Sequence, residues 1–128
     1  MTTEARPQKP RILIVEDEPM LAFALEETLI EAGFEIAGVA ARLETALALI
    51  EIGDCDAAIV DANLAGVSAG PAALALKARA IPFVVVSGYS REQHPVAFSG
   101  ALFVQKPHRS EQLVHALCSV LPAQRIHA

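Results

Sequence analysis

Apolar residues arrive along this chain in short unbroken runs, and between the runs they recur at three- and four-residue intervals. Arg11-Ile12-Leu13-Ile14-Val15 leads into the acids Glu16 and Asp17. A run of branched aliphatics without alternation is the pattern of a strand covered on both faces. Pro19 falls where a first helical turn tolerates proline, Leu21, Leu25 and Leu29 recur at every fourth residue, and Gly33 stops the helix. The unit then repeats. Phe34 to Ala40 forms a second apolar run, and Ala46, Leu47 and Ile50 stripe a helix ending near Gly53. Asp56 to Asp61 is a third strand ending on an acid, Gly66 and Gly70 fall in its loop, and Pro71 opens a helix running to about Arg79. Pro82 to Ser87 and Ala101 to Gln105 are the fourth and fifth strands. Ser110 is placed as the cap of a last helix striped by Leu113, Leu117 and Leu121.

Strands alternating with helices predict an α/β fold of flavodoxin-like (βα)5 type, a five-stranded parallel sheet with helices on both faces. Right-handed crossovers favour the strand order 2-1-3-4-5. The connection from Gly88 to Gly100 contains Pro95, so the fourth helix is expected to be short or irregular. Residues 1–10 are expected to be a disordered arm, 11–121 the domain and 122–128 a tail.

Composition narrows the class. The 128 residues are 53% hydrophobic and 20% charged, which excludes an intrinsically disordered chain. No apolar stretch approaches the roughly 20 residues that span a bilayer, and no apolar segment follows the N-terminal charges as in a secretory signal. A cytoplasmic domain with no membrane contact is expected. Ten basic residues against fifteen acidic ones leave a net charge of −5 and no basic stripe, so direct DNA binding is not expected. Cys55 and Cys118 read as reduced thiols, Cys118 on an apolar helix face. His94, His108, His115 and His127 show no metal-ligand spacing. His108 lies near the strand ends and is expected to be exposed.

Ligands of open parallel sheets bind outside the carboxyl ends of the strands. The first strand delivers Glu16 and Asp17 there, the third Asp61, the fourth Ser87, and the fifth Lys106 followed by Pro107. Three carboxylates held close raise one another's proton affinity unless a cation lies among them. Such hard oxygen ligands suit Mg²⁺, which keeps waters and takes phosphate oxygens. A lysine facing them pairs with a carboxylate or a phosphate, and a hydroxyl donates to phosphate. An aspartate beside a divalent metal and a lysine is an acceptor for a phosphoryl group. Plainer readings exist for each residue alone: Glu16 and Asp17 as acids at a helix N-terminus, Asp61 and Ser87 as turn residues, Lys106 as a solvated cation. Their convergence at one sheet edge favours the sharper reading.

Taken in order, Glu16-Asp17, Asp61-Ala62-Asn63-Leu64-Ala65-Gly66, Ser87-Gly88 and Lys106-Pro107 resemble the receiver domain of two-component response regulators, over about residues 10–121. The resemblance implies that Asp61 accepts a phosphoryl group from a sensor histidine kinase or a histidine phosphotransfer protein, in a phosphorelay whose output is changed partner binding. It implies that Asp17, Asp61 and the Asn63 backbone carbonyl ligate Mg²⁺, with Glu16 acting mainly through water. Ala62, Ser87, Gly88 and Lys106 would contact the phosphoryl group, and the Lys106–Pro107 bond would be cis. Ser87 stands at the position of the hydroxyl that moves on phosphorylation. Phe103 stands at the aromatic switch position and reads equally as a core aromatic. Pro82 to Tyr89 looks like a divergent form of the subfamily whose fourth strand reads Pro-Phe-x-Phe-Ala-Thr-Gly-Tyr, which includes many stand-alone receivers and often lacks an ordinary fourth helix. The interval from Ser87 to Lys106 is short for the family. The phosphoryl signal is therefore expected to be read through Gly88 to Gly100. Two other readings stay open: a pseudo-receiver that only docks partners, and a small phosphohydrolase working through an aspartyl phosphate. As a signalling domain, the chain would act on no substrate beyond its own aspartate.

Overall fold

The computed structural model describes residues 9–88 and 96–122. Strands β1 (Arg11–Val15), β2 (Glu35–Ala40) and β3 (Ala57–Asp61) alternate with helices α1 (Pro19–Glu31) and α2 (Leu43–Ile52). A two-residue pair, β4 (Asn63–Leu64) and β5 (Val67–Ser68), precedes helix α3 (Gly70–Ala78). Strand β6 (Phe83–Ser87), a 3₁₀ turn (Val96–Phe98), strand β7 (Leu102–Gln105) and helix α4 (Ser110–Val120) complete the chain. The main sheet runs β2-β1-β3-β6-β7 with every neighbouring pair parallel. This is the predicted order once the β4–β5 pair, which forms a sheet of its own, is set aside.

Alternation along each strand sends side chains to opposite faces. Leu13, Val15, Ala58, Val60 and Val85 join the core shared with α2, α3 and the 3₁₀ turn. Ile12, Ile14, Ile59, Val84 and Val86 join the core that carries Leu29 of α1 and Leu113 and Leu117 of α4. Both faces are therefore covered, as the unbroken aliphatic runs require. Burying each such Leu or Ile side chain contributes about 1.5–3 kcal/mol. Pro19 and Pro71 both lie in first turns, and Gly53 closes α2 in the left-handed region at φ 75°, its N–H donating to the Leu49 carbonyl. Cys55 and Cys118 are free thiols and half-buried, Cys118 against the α1–α4 core.

The structure corrects three expectations. The loop after the third strand is an antiparallel hairpin, because Ala65 (φ 54°) and Gly66 (φ 90°) form a two-residue turn with both φ values positive. Ser110 is the first residue of α4 rather than its cap. The cap position is Arg109, whose N–H is satisfied by the Gln112 side-chain carbonyl at 3.0 Å, while Ser110 Oγ lies 3.4 Å from Thr28 Oγ1 of α1. His108 is half-buried rather than exposed, and its Nδ1 is fully buried. Between β6 and β7 the described residues hold only the short 3₁₀ turn. Residues 89–95, with Pro95 and His94, lie outside the described residues, as do most of the arm and tail and His127.

Candidate functional site

Register brings the polar residues together. Val15 pairs with Val60, Asp61 with Val86, and Ser87 with Gln105. The residues that end these strands, Glu16, Asp61, Ser87 and Lys106, thus stand at one level of the sheet edge. Glu16 and Asp61 follow Ile14 and Ile59 at two-residue steps, so both side chains emerge on the α1–α4 face. Both are almost fully buried, as is Ser87. The Glu16 N–H donates to the Ala40 carbonyl at 2.9 Å and the Lys106 N–H to the Ser87 carbonyl at 2.7 Å, fixing both residues to the sheet. The Lys106–Pro107 peptide is cis.

The side chains meet around Asp61. Lys106 Nζ donates to Asp61 Oδ2 at 3.1 Å and stands 3.8 Å from Glu16 Oε1. The Asn63 N–H donates to Asp61 Oδ1 at 3.2 Å, and Glu16 Oε2 accepts from the Glu18 N–H at 3.1 Å. Carboxylate oxygens of Glu16, Asp17 and Asp61 lie within 4.8 Å of one another. Burial pushes the Glu16 carboxyl up to about 7. The Glu18 amide and Lys106 oppose that rise, and the Asp61 charge reinforces it. For Lys106, burial disfavours the charged form. The hydrogen bond and charge of Asp61, together with the charges of Glu16 and Glu18, outweigh burial and hold the ammonium above the usual lysine value.

An all-oxygen set of three clustered acids, one of them pushed toward neutrality, fits a small hard divalent cation. Glu16, Asp17, Asp61 and Lys106 come together as the sequence suggested, and Ser87 ends the neighbouring strand with Gly88 just beyond it. Ala62 adjoins the site, but both its backbone groups are engaged: its N–H donates to the Val86 carbonyl at 3.0 Å and its carbonyl accepts from Ala69 at 2.9 Å. The amide that faces Asp61 is that of Asn63, a donor the residue pattern did not single out. The exposed Asn63 side chain turns to the hairpin, where Oδ1 accepts the Gly66 N–H at 2.7 Å. Phe103 is not part of the cluster. It packs edge-on against the buried Phe98 with ring centroids 6.3 Å apart, on the opposite face of the sheet.

An acid pair, a strand-end aspartate and a lysine thus meet at the carboxyl edge of a doubly wound α/β sheet. Residues 12–118 match the response regulator receiver domain model, and the chain belongs to that family. It is 31% identical over 121 residues to the transcriptional regulatory protein PdtaR of Mycobacterium tuberculosis, covering 91% of this chain and 59% of that protein. The chain thus spans 59% of the length of the curated relatives it matches. The solution structure of SdrG from Sphingomonas melonis Fr1 is 39% identical, with a TM-score of 0.76 over 88% of this chain and 96% of that one. A CheY-like receiver domain protein from Methanospirillum hungatei JF-1 is 25% identical, with a TM-score of 0.80 over 91% of this chain and 97% of that one. Among the described residues, no helix is long and apolar enough to cross a membrane.

Proposed function

We propose that residues 11–121 form a phosphoacceptor receiver domain acting in the cytoplasm, in which Asp61 takes a phosphoryl group from a histidine kinase or a histidine phosphotransfer protein. The observation that carries this reading is the contact of Lys106 Nζ with Asp61 Oδ2 at 3.1 Å inside the Glu16–Asp17–Asp61 cluster. A carboxylate oxygen of Asp61 forms the new P–O bond as the P–N bond to the donor imidazole breaks. The electron pair leaves on the imidazole nitrogen, which is protonated from solvent. Lys106 balances negative charge on Asp61 before transfer and on the phosphoryl oxygens after it. The Asn63 amide, freed from Oδ1, and the Ser87 hydroxyl and Gly88 amide supply further donors to those oxygens. Asp17, Asp61 and the Asn63 carbonyl would hold Mg²⁺, with Glu16 acting through water, and the ion would offset the charge of the incoming phosphoryl group. Phosphorylation draws the Ser87 hydroxyl toward the phosphoryl oxygens.

Incubating the full chain with phosphoimidazole and MgCl₂, read by intact mass, tests the assignment. Wild type gains one phosphoryl group and Asp61→Asn gains none. Equal labelling of the two proteins would overturn it.

A further inference from the structure

We propose that Glu18 is a specificity-determining residue that favours phosphoryl donors of low negative charge, N-phosphoryl compounds over acyl phosphates. The inference rests on the phosphoacceptor reading and concerns which donors reach Asp61. Glu18 stands at the entrance to α1, where its N–H donates to Glu16 Oε2 at 3.1 Å and its carbonyl accepts from the Ala22 N–H at 2.9 Å. Its backbone is therefore pinned between the acid cluster and the first turn of the helix. A side chain at that N-cap position ordinarily accepts from the amides of the first turn. The Glu18 side chain makes no such bond, and its carboxylate has no ion pair among the described residues. It is exposed, and its charge is felt at Lys106, where it helps to hold the ammonium in its charged form.

Removing that charge would leave Lys106 cationic, because Asp61 at 3.1 Å and Glu16 at 3.8 Å still hold it. What the charge of Glu18 acts on is the incoming donor. Glu16 and Asp61 are almost fully buried, so a donor comes in past the half-buried Asp17 and Lys106, within range of the charge that Lys106 already feels. Near neutral pH acetyl phosphate carries about two negative charges, as phosphate esters do, and phosphoramidate, protonated on nitrogen, about one. With either donor an Asp61 oxygen forms the new P–O bond. The bond that breaks is P–O in acetyl phosphate and P–N in phosphoramidate, and the electron pair leaves on acetate or on ammonia. Repulsion from Glu18 scales with the donor's charge, so it opposes the acyl phosphate about twice as strongly. An acid at a helix N-terminus also stabilises the helix, but that effect is the same for both donors.

The test gives the full chain acetyl phosphate or phosphoramidate at neutral pH and follows phosphoryl uptake by intact mass. MgCl₂ is kept saturating, so that changes in metal affinity drop out. The readout is the ratio of the acetyl phosphate rate to the phosphoramidate rate. In about 0.1 M salt, Glu18→Gln should raise that ratio roughly two- to threefold, and Glu18→Lys, with twice the change in charge, roughly four- to ninefold. In about 1 M NaCl, where screening acts over about 3 Å, both variants should fall to within about 1.5-fold of wild type. Glu31→Gln removes an equal charge from the far end of α1, about 20 Å away along the helix, and should leave the ratio unchanged. A ratio that Glu18→Gln does not alter, a change that survives 1 M NaCl, or an equal change in Glu31→Gln would each overturn the inference while the phosphoacceptor reading stands. No uptake by wild type from either donor, or uptake that Asp61→Asn matches, would overturn both.

Discussion

Replacing Glu16 by glutamine should stabilise the metal-free domain at alkaline pH and leave it nearly unchanged at acid pH. The Glu16 carboxyl is 3% exposed, and burial raises it from 4.5 to about 7. Between those values the native state holds a proton that the unfolded chain has released, so wild-type stability falls as pH rises from about 4.5 through 7. At roughly 1.4 kcal/mol per pKa unit, the loss from pH 5 to pH 8 is about 2–3 kcal/mol. Glutamine keeps the carbonyl oxygen that accepts from Glu18 at 3.1 Å and has no charge to desolvate. The other titrating groups are common to both proteins and largely cancel in the difference. Urea unfolding with a chelator present should therefore show Glu16→Gln gaining about 2–3 kcal/mol relative to wild type between pH 5 and pH 8. A difference that is flat with pH, or one that favours wild type at pH 8, would refute the reasoning. Saturating MgCl₂ should shrink the advantage at pH 8, because a cation among the acids stabilises the ionised form.

Two further outcomes follow from the same geometry. Mg²⁺ should raise the thermal midpoint of the wild-type domain by mass action, and Asp17→Ala should reduce that rise more than Glu16→Ala, as seen by calorimetry across a Mg²⁺ titration. Ala65→Gly should stabilise the domain by about 0.5–1 kcal/mol in urea, since exposed Ala65 sits at φ 54°, where a Cβ is penalised and glycine is not. Unchanged or lower stability would mean that the hairpin does not hold that turn in solution.

Strand order, the two-sided core and the acids and lysine at the sheet edge were all legible in the chain. Each rests on local rules: aliphatic runs make buried strands, four-residue stripes make helices, and a parallel sheet gathers strand ends at one edge. Whatever depended on competition between partners had to wait for the fold. The Asn63–Leu64 and Val67–Ser68 pairing forms because a two-residue turn closes it, although alanine is a poor residue at its first position. Ser110 yields the cap to Arg109, since the Gln112 side chain reaches the orphan amide first. Ala62 has an amide at the right place in the sequence, but the Val86 carbonyl claims it and leaves the Asn63 amide to face Asp61. The pKa of Glu16 and the orphaned nitrogen of His108 lie furthest from the sequence. A pKa or an unmet hydrogen bond is set by how much water and how many partners the assembled elements leave around an atom, and residues distant in the chain decide that sum.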